Sequence, residues 1–349
     1  MARVLVIATS RKTKGGITSV IRAHETGEQW KKYHCRWIQT HRDGNSLIKI
    51  WYLFFALIET LFLMPFYDIV HIHLSEMNST LRKIIFFQIA RLFHKKIIVH
   101  FHSFSKETSI CSKYRPRYQF IFPRADMVIV LSKYWQNAVC EEFCLSDKKV
   151  RVLYNPCPTI EKIIKDDEFK TKTILYAGTL NERKGYLDLI QGFAKIANSF
   201  PDWKIVFAGN GEIEQGQLLA KELGISTQVV FLGWISGEEK DKYFREARIF
   251  CLPSYAEGFP MSVLDAWAYG LPVITTPVGG IPDVAEDGKN MLLFSPGDVV
   301  TLSIQLERLI QNITLRNAIA KESVVLANTL FNVNTINHKL EEIYDSLLS

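Results

Sequence analysis

Several common devices are missing from this chain. No Cys-x-x-Cys pair occurs, and the six cysteines are scattered at 35, 111, 140, 144, 157 and 251. That excludes a zinc ribbon and a disulfide framework, and fits reduced thiols in a cytoplasmic protein. No Asp-x-Asp occurs anywhere, so the carboxylate pair that usually serves a metal-held nucleotide ligand is absent. Neither the G-x-G-x-x-G dinucleotide fingerprint nor a G-x-x-x-x-G-K-[ST] phosphate loop is present. The basic residues are dispersed, without the aromatic stacking motif of RNA-binding modules, which argues against a nucleic-acid partner. The N-terminal apolar run, Met-Ala-Arg-Val-Leu-Val-Ile-Ala, is too short for a signal-peptide core and reads as a first buried strand.

What is present is globular. The chain has 349 residues, 48% hydrophobic and 22% charged, enough for two domains and too apolar for disorder. The net charge of +6 conceals an asymmetry. Residues 1–160 hold 24 Lys+Arg against 11 Asp+Glu, and the remainder holds 18 against 25. A basic first half suggests an anionic partner, such as a phosphorylated acceptor or a lipid surface, or else a solvated basic face.

Short apolar runs alternate with helical patterns. "RVLVIA" (3–8), "YDIVHIH" (67–73), "KIIVHFH" (96–102), "DMVIVL" (126–131) and "VRVLY" (150–154) read as buried parallel strands. Residues 155–172, rich in Pro and charge, read as a linker. A second series follows: "TILYAG" (173–178), "KIVFAG" (204–209), "QVVFLG" (228–233), "RIFCLP" (248–253) and "LPVITT" (271–276). Ser236 and Glu239 form a capping-box pattern before "EEKDKYFREA". The expected architecture is two doubly wound α/β domains, 1–160 and 161–330, with 331–349 as a C-terminal helix packing back on the first domain. Ligands in such sheets bind beyond the carboxyl ends of the strands, and the cleft between two such domains is the expected site.

One segment breaks the pattern. Ile50 to Phe66 has a single charge, Glu59. As a helix it would be about 26 Å long, marginal for a bilayer span. It also falls inside the first βα series, so a crossover helix is the better reading, either buried or with Trp51, Tyr52 and Phe55 resting on a membrane surface.

The candidate chemistry lies in glycine turns and two acids. "KTKGGITS" places Gly15-Gly16 at a helix start, where backbone N–H groups favour an anion. "NERKG" puts Arg183 and Lys184 just before a helix, against its dipole, a placement explained by a bound anion such as a diphosphate. "FAGNGE" adds Gly209 and Gly211 in a strand-to-loop turn. Two histidine pairs, His71/His73 and His100/His102, each share one face of a strand. They read as cleft-lining hydrogen-bond donors rather than a metal site. Finally, "PSYAEGFPMSVLDAWAYG" holds Glu257 after a strand and Asp265 on a short helix, with seven residues between them. Pro260 suits that helix's first turn. Two acids at a sheet rim can grip separate hydroxyl-bearing parts of one ligand.

This block resembles the retaining glycosyltransferases of family four, whose hallmark is Glu-x7-Glu. Here it reads Glu257-Gly-Phe-Pro, Asp265-Ala266, Gly270, Pro272-Val-Ile and Gly279-Gly280-Ile-Pro-Asp283. The resemblance runs from "RVLVIA" to about residue 330 and is most specific in the second half. It implies the GT-B fold, two Rossmann-like domains facing a central cleft. It also implies a nucleotide-sugar donor, UDP- or GDP-linked, a glycan or lipid-linked acceptor, and no metal or other cofactor. By position, Glu257 would contact the donor sugar, Asp265 the ribose, and Lys184 with Arg183 the diphosphate. His102 would stand near the transferred sugar and Gly16 near the diphosphate. Gly209, Gly211, Phe259, Pro260, Gly279 and Gly280 would complete the donor site, with N–H groups of Val278–Ile281 on the phosphates. The typical setting is bacterial surface-polysaccharide assembly, in the cytoplasm or on the inner face of the plasma membrane. Two positions depart from the family: Asp265 is shorter than its Glu, and Thr179 stands where Arg often follows Gly178, leaving Arg183 to supply that charge. The rival readings are a GT-B-like sugar-nucleotide 2-epimerase and a non-catalytic, membrane-associated homologue.

Overall fold

The computed structural model describes residues 2–160 and 170–349. Half of the expected linker, 161–169, lies outside the described residues. The chain divides into two compact units, one running to Pro156 and including Val333–Ser349, the other Cys157–Asn332. This places the division four residues before the position read from the sequence.

The first unit carries strands β1 (Val4–Ala8), β2 (Arg36–Gln39), β3 (Ile69–Leu74), β4 (Lys96–Phe101), β5 (Met127–Val130) and β6 (Val150–Val152). Its helices are α1 (Gly16–Glu25), α2 (Glu28–Lys32), α3 (Ser46–Leu63), α4 (Met77–Leu92), α5 (Arg115–Ile121) and α6 (Lys133–Phe143). The strands form a parallel sheet in the order β2-β1-β3-β4-β5-β6. Side chains alternate between its faces. Leu5, Ile7, Val70, Ile72, Val99 and Val128 pack on one side against α3 to α6, whereas Val4, Val6, Ile69, Ile98 and Ile129 pack on the other. Burial on both faces is why these strands read as continuous apolar runs.

The second unit carries β7 (Thr173–Ala177), β8 (Lys204–Ala208), β9 (Val229–Gly233), β10 (Ile249–Leu252), β11 (Val273–Thr275) and β12 (Leu292–Leu293). Its helices are α7 (Tyr186–Ala194), α8 (Ile213–Glu222), α9 (Glu238–Glu246), α10 (Met261–Ala268), α11 (Val299–Gln311) and α12 (Ile313–Asn328). The order is β12-β11-β10-β7-β8-β9, again parallel. A last helix, α13 (Val333–Leu348), belongs to the first unit. Its Ile336, Leu340 and Tyr344 fill the β1-β3-β4 face.

Two local expectations are corrected. The capping box at Ser236 and Glu239 does not form: α9 begins after Gly237, whose φ of 59° no capping side chain accompanies. Pro260 is the N-cap of α10 rather than a first-turn residue. The apolar segment at 50–66 is indeed helical, but it is not a core helix: only 17% of its apolar stretch is buried.

Candidate active site

In the second sheet the strand order reverses between β7 and β10, which are neighbours although β8 and β9 intervene in sequence. Such a switch point splays the two following loops apart and opens a crevice at the carboxyl edge. The loop after β7 carries Arg183 and Lys184. The loop after β10 carries Glu257. Asn181 caps the Arg183-Lys184 turn by accepting from the Lys184 N–H at 3.1 Å. Gly185 then takes φ of 64° with the Pro253 carbonyl so close that a Cβ would lie 2.0 Å from it. No other residue fits there without moving one loop. The loops are also stitched together: Tyr255 N–H donates to the Arg183 carbonyl at 2.8 Å, and Arg183 Nη1 to the Ala256 carbonyl at 2.6 Å.

The result is a compact charged group. Lys184 Nζ lies 2.5 Å from Glu257 Oε1, Ser254 Oγ donates to the same oxygen at 2.7 Å, and Arg183 Nη1 stands 3.7 Å from Oε2. Glu257 is buried, not exposed at a rim. A buried carboxylate requires such partners, since desolvation without them is expensive. The anion that the two cations lack in the sequence is therefore supplied by the protein itself. A cavity of about 540 Å³ adjoins this group, lined by Glu182, Arg183, Gly185, Leu187, Asp188 and Tyr255. Burial raises the Asp188 carboxyl above its ordinary range.

The glycine turns lie around the same edge. Gly209 meets the Gly178 carbonyl, and Gly211 meets that of Leu180; a Cβ at either would fall about 2 Å from those oxygens. Gly279 has φ of 59° and abuts the Glu257 carbonyl, while Gly280 packs on the Phe259 ring. The N–H groups of Val278–Ile281, expected on the phosphates, are mostly turned to backbone carbonyls in this conformation. Val278 donates to Thr276, Gly280 to Gly258 and Ile281 to Val278. Only the Gly279 N–H is left without a backbone partner among the described residues.

Asp265 stands apart from this group. It sits on α10 and pairs with Lys240 Nζ of α9 at 2.7 Å, with burial raising its carboxyl above the ordinary range. Ser254 and Lys240 were not singled out in the sequence. Ser254 could have been, because it sits three residues before Glu257. Lys240 carries no such signal.

Two expected residues belong to the first unit. Gly16 opens α1 after β1, and His102 follows β4. His102 Nε2 is 2.9 Å from His73 Nδ1, and the rings of His71, His73, His100 and His102 form a stack with neighbouring centroids 4.2–5.5 Å apart. His71 Nδ1 meets the Tyr344 hydroxyl of α13 at 2.8 Å. Burial pushes all four imidazoles below their ordinary value, His102 to about 3. Nitrogens of His71, His73 and His100 lie within 4.8 Å of one another. Near-parallel rings send their in-plane lone pairs side by side rather than to one point, so chelation would require the rings to turn. The buried amine of Lys83 is bonded to the His73 carbonyl beside them, and desolvation pushes it down to about 7. Lys83 too was missed, since a lysine inside α4 reads as a surface residue.

The chain matches the description "Glycosyl transferases group 1" over residues 159–323 and "Glycosyltransferase Family 4" over residues 16–160. It belongs to the group 1 glycosyltransferases. Among relatives of this family, an uncharacterised 41.2 kDa protein in the cps region of Klebsiella pneumoniae is 26% identical over 82% of this chain and 85% of its own length. A lipopolysaccharide 1,6-galactosyltransferase of Salmonella typhimurium is 31% identical, over 48% of this chain and 47% of its own. Three other curated relatives are spanned over only 38–59% of their length. The crystal structure of Anabaena HepE in complex with UDP and glucose superposes with a TM-score of 0.80 at 19% identity, covering 99% of this chain and 100% of that one. The fold is thus that of the GT-B glycosyltransferases.

Proposed function

We propose that this glycosyltransferase is a retaining, metal-independent enzyme. It moves a sugar from a UDP- or GDP-linked donor to a glycan or lipid-linked acceptor in bacterial surface-polysaccharide synthesis, on the cytoplasmic side of the membrane. The observation that carries the reading is the Lys184–Glu257–Arg183 group at the β7/β10 switch point. The lipopolysaccharide galactosyltransferase among its relatives supports the setting, and the UDP complex of a structural neighbour supports the donor.

The geometry suits this chemistry. In the free protein Glu257 offsets one of the two positive charges of Lys184 and Arg183. An incoming diphosphate takes over the charge of Lys184 and Arg183, which frees Glu257 to accept hydrogen bonds from sugar hydroxyls. In the transfer step the bond from the anomeric carbon to the diphosphate oxygen breaks and the nucleoside diphosphate leaves. The acceptor oxygen bonds to that carbon on the same face, and its proton passes to the departing phosphate oxygen. Lys184 and Arg183 stabilise the negative charge where it develops. Asp265, held by Lys240, is assigned to the ribose hydroxyls, Gly16 to the diphosphate, and His102 to the transferred sugar.

The test is Glu257→Gln and Lys184→Ala in a transfer assay with UDP- and GDP-sugars. Turnover should fall about 10²–10³-fold in each, the size of losing one preorganised charge contact. The melting temperature should fall in Glu257→Gln, which keeps a partner for Ser254 but leaves Lys184 and Arg183 without their carboxylate, while far-UV circular dichroism shows the fold retained. In Lys184→Ala, stabilisation of the fold by nucleoside diphosphate should also disappear. Near-normal turnover in both variants would remove this group from the mechanism.

A further inference from the structure

Among the described residues the outer face of α3 has no occupant. Trp51, Phe54, Phe55, Ile58, Leu61 and Phe62 recur at helical spacing of three and four, so they form one stripe. Each is exposed, Trp51 by 57% and Phe62 by 74%. The opposite side, through Ala56, Thr60 and Met64, is what packs into the unit. α4 lies alongside and extends the apolar surface with Leu81, Ile85 and Leu92, also exposed. A contiguous surface of this kind on a water-soluble face marks an interaction site.

The charges around it have one sign to offer. Three acids occur between residues 44 and 96, and each is engaged within the protein. Glu59 pairs with Arg36 at 2.7 Å, Asp68 accepts from the Arg3 N–H at 2.8 Å, and Glu76 accepts from Ser103 and Thr108 at 2.6 and 2.8 Å. Cations remain at the C-terminal margin. Arg91 lies in the last turn of α4, and Lys95 Nζ reaches the Pro65 carbonyl at 3.3 Å, beside the exposed Phe66. Lys96 follows, with Asp126 at 3.7 Å. An apolar stripe bordered by such cations complements anionic lipid. A second copy of this chain would bring a margin of the same sign.

The helix is long and apolar enough to cross a bilayer, but the topology forbids it. β2 precedes α3 and β3 follows it, and both strands pair with β1 in one sheet. Crossing would put the two strands on opposite sides of the membrane.

We propose that the α3 stripe, continued by α4, lies in the plane of an anionic bilayer, sunk into its headgroup region with Arg91 and Lys95 on the lipid phosphates. This deepens the proposed function, resting on it for the lipid-linked acceptor that a surface-bound enzyme would meet. The binding itself is measured apart from transfer.

The experiment is flotation of the full chain with vesicles of phosphatidylcholine alone or with about one third phosphatidylglycerol, a composition at which basic clusters bind. The wild type should float with the anionic vesicles and lose binding at high salt. A Trp51→Ser/Phe55→Ser/Phe62→Ser variant, altered only at exposed positions, should bind at least tenfold more weakly while its melting temperature and nucleoside diphosphate binding stay unchanged. Lipid with brominated acyl chains should quench tryptophan fluorescence in the wild type, and less in Trp51→Ser. Failure of the wild type to bind either vesicle would overturn the proposal. So would equal binding by the triple variant, or a dimer in solution that the same substitutions dissociate. None of these results touches the Lys184–Glu257 assignment, which the transfer assay decides separately.

Discussion

His71, His73 and His100 are sealed inside the first unit, and His24 is buried beside Asn337 of α13. Each must stay neutral in the folded state, His24 being held down to about 4. Their folded values therefore lie below the unfolded value of 6.5. Stability from these groups is complete above pH 6.5 and is lost as pH falls toward the folded values, because only the unfolded chain takes up the protons. Each such histidine adds a slope of about 1.4 kcal/mol per pH unit in that window. His100 is the sharpest case, since neither of its ring nitrogens has a hydrogen-bond partner among the described residues. His100→Phe keeps a ring in the stack and removes two unsatisfied atoms. Urea unfolding from pH 7.5 to 4.5 should show unchanged or slightly higher stability at pH 7.5, by up to about 2 kcal/mol. The acid slope should be shallower by about one histidine's share. An unchanged slope would mean that water reaches this residue. The spacing of the two pairs was legible in the sequence. The register that sets His73 opposite His100, and the Tyr344 hydroxyl 273 residues from His71, was not, because both depend on tertiary pairing.

The long apolar strands were legible for a physical reason: burial on both faces leaves no polar alternation. β2, with Arg and Gln at its ends, and the two-residue β12 gave too little signal. The loops at the second sheet's carboxyl edge were legible only as glycines, acids and the Arg183-Lys184 pair. Their interlocking is a matter of backbone contact between segments distant in sequence, which no local pattern encodes. Two glycines separate the causes. Gly224 has φ of 73° with nothing near its missing Cβ, whereas Gly279 has φ of 59° and a Cβ there would fall 2.1 Å from the Glu257 carbonyl oxygen. Gly224→Ala should cost only the left-handed conformation, about 1–2 kcal/mol. Gly279→Ala should cost at least about 2 kcal/mol more, as the overlap must be relieved by moving a loop. It should also lower turnover, since the loop that moves carries Glu257. Equal losses in the two variants, measured by chemical denaturation, would show that the contact is soft.

At the scale of the whole molecule, the two units are not two halves of the sequence. The chain leaves the first unit at Pro156 and returns to it at Val333. What draws α13 back is apolar burial together with specific polar contacts. Ile336, Leu340 and Tyr344 are buried on the β1-β3-β4 face, Asn337 meets His24 and Gln29 at 2.8 and 3.0 Å, and Lys32 pairs with Glu341 at 2.8 Å. Burying each large side chain is worth about 1.5–3 kcal/mol, so losing α13 removes several kcal/mol from the first unit alone. It also uncovers the histidine stack to water. A chain ending at Asn332 should therefore lose amide protection in β1, β3 and β4 while β7, β8 and β10 keep theirs, as read by hydrogen exchange. Calorimetry should resolve a lowered first-unit transition from an unshifted second one. If both sheets lose protection together, the two units unfold as one cooperative body and α13 stabilises the whole chain rather than the unit it packs against.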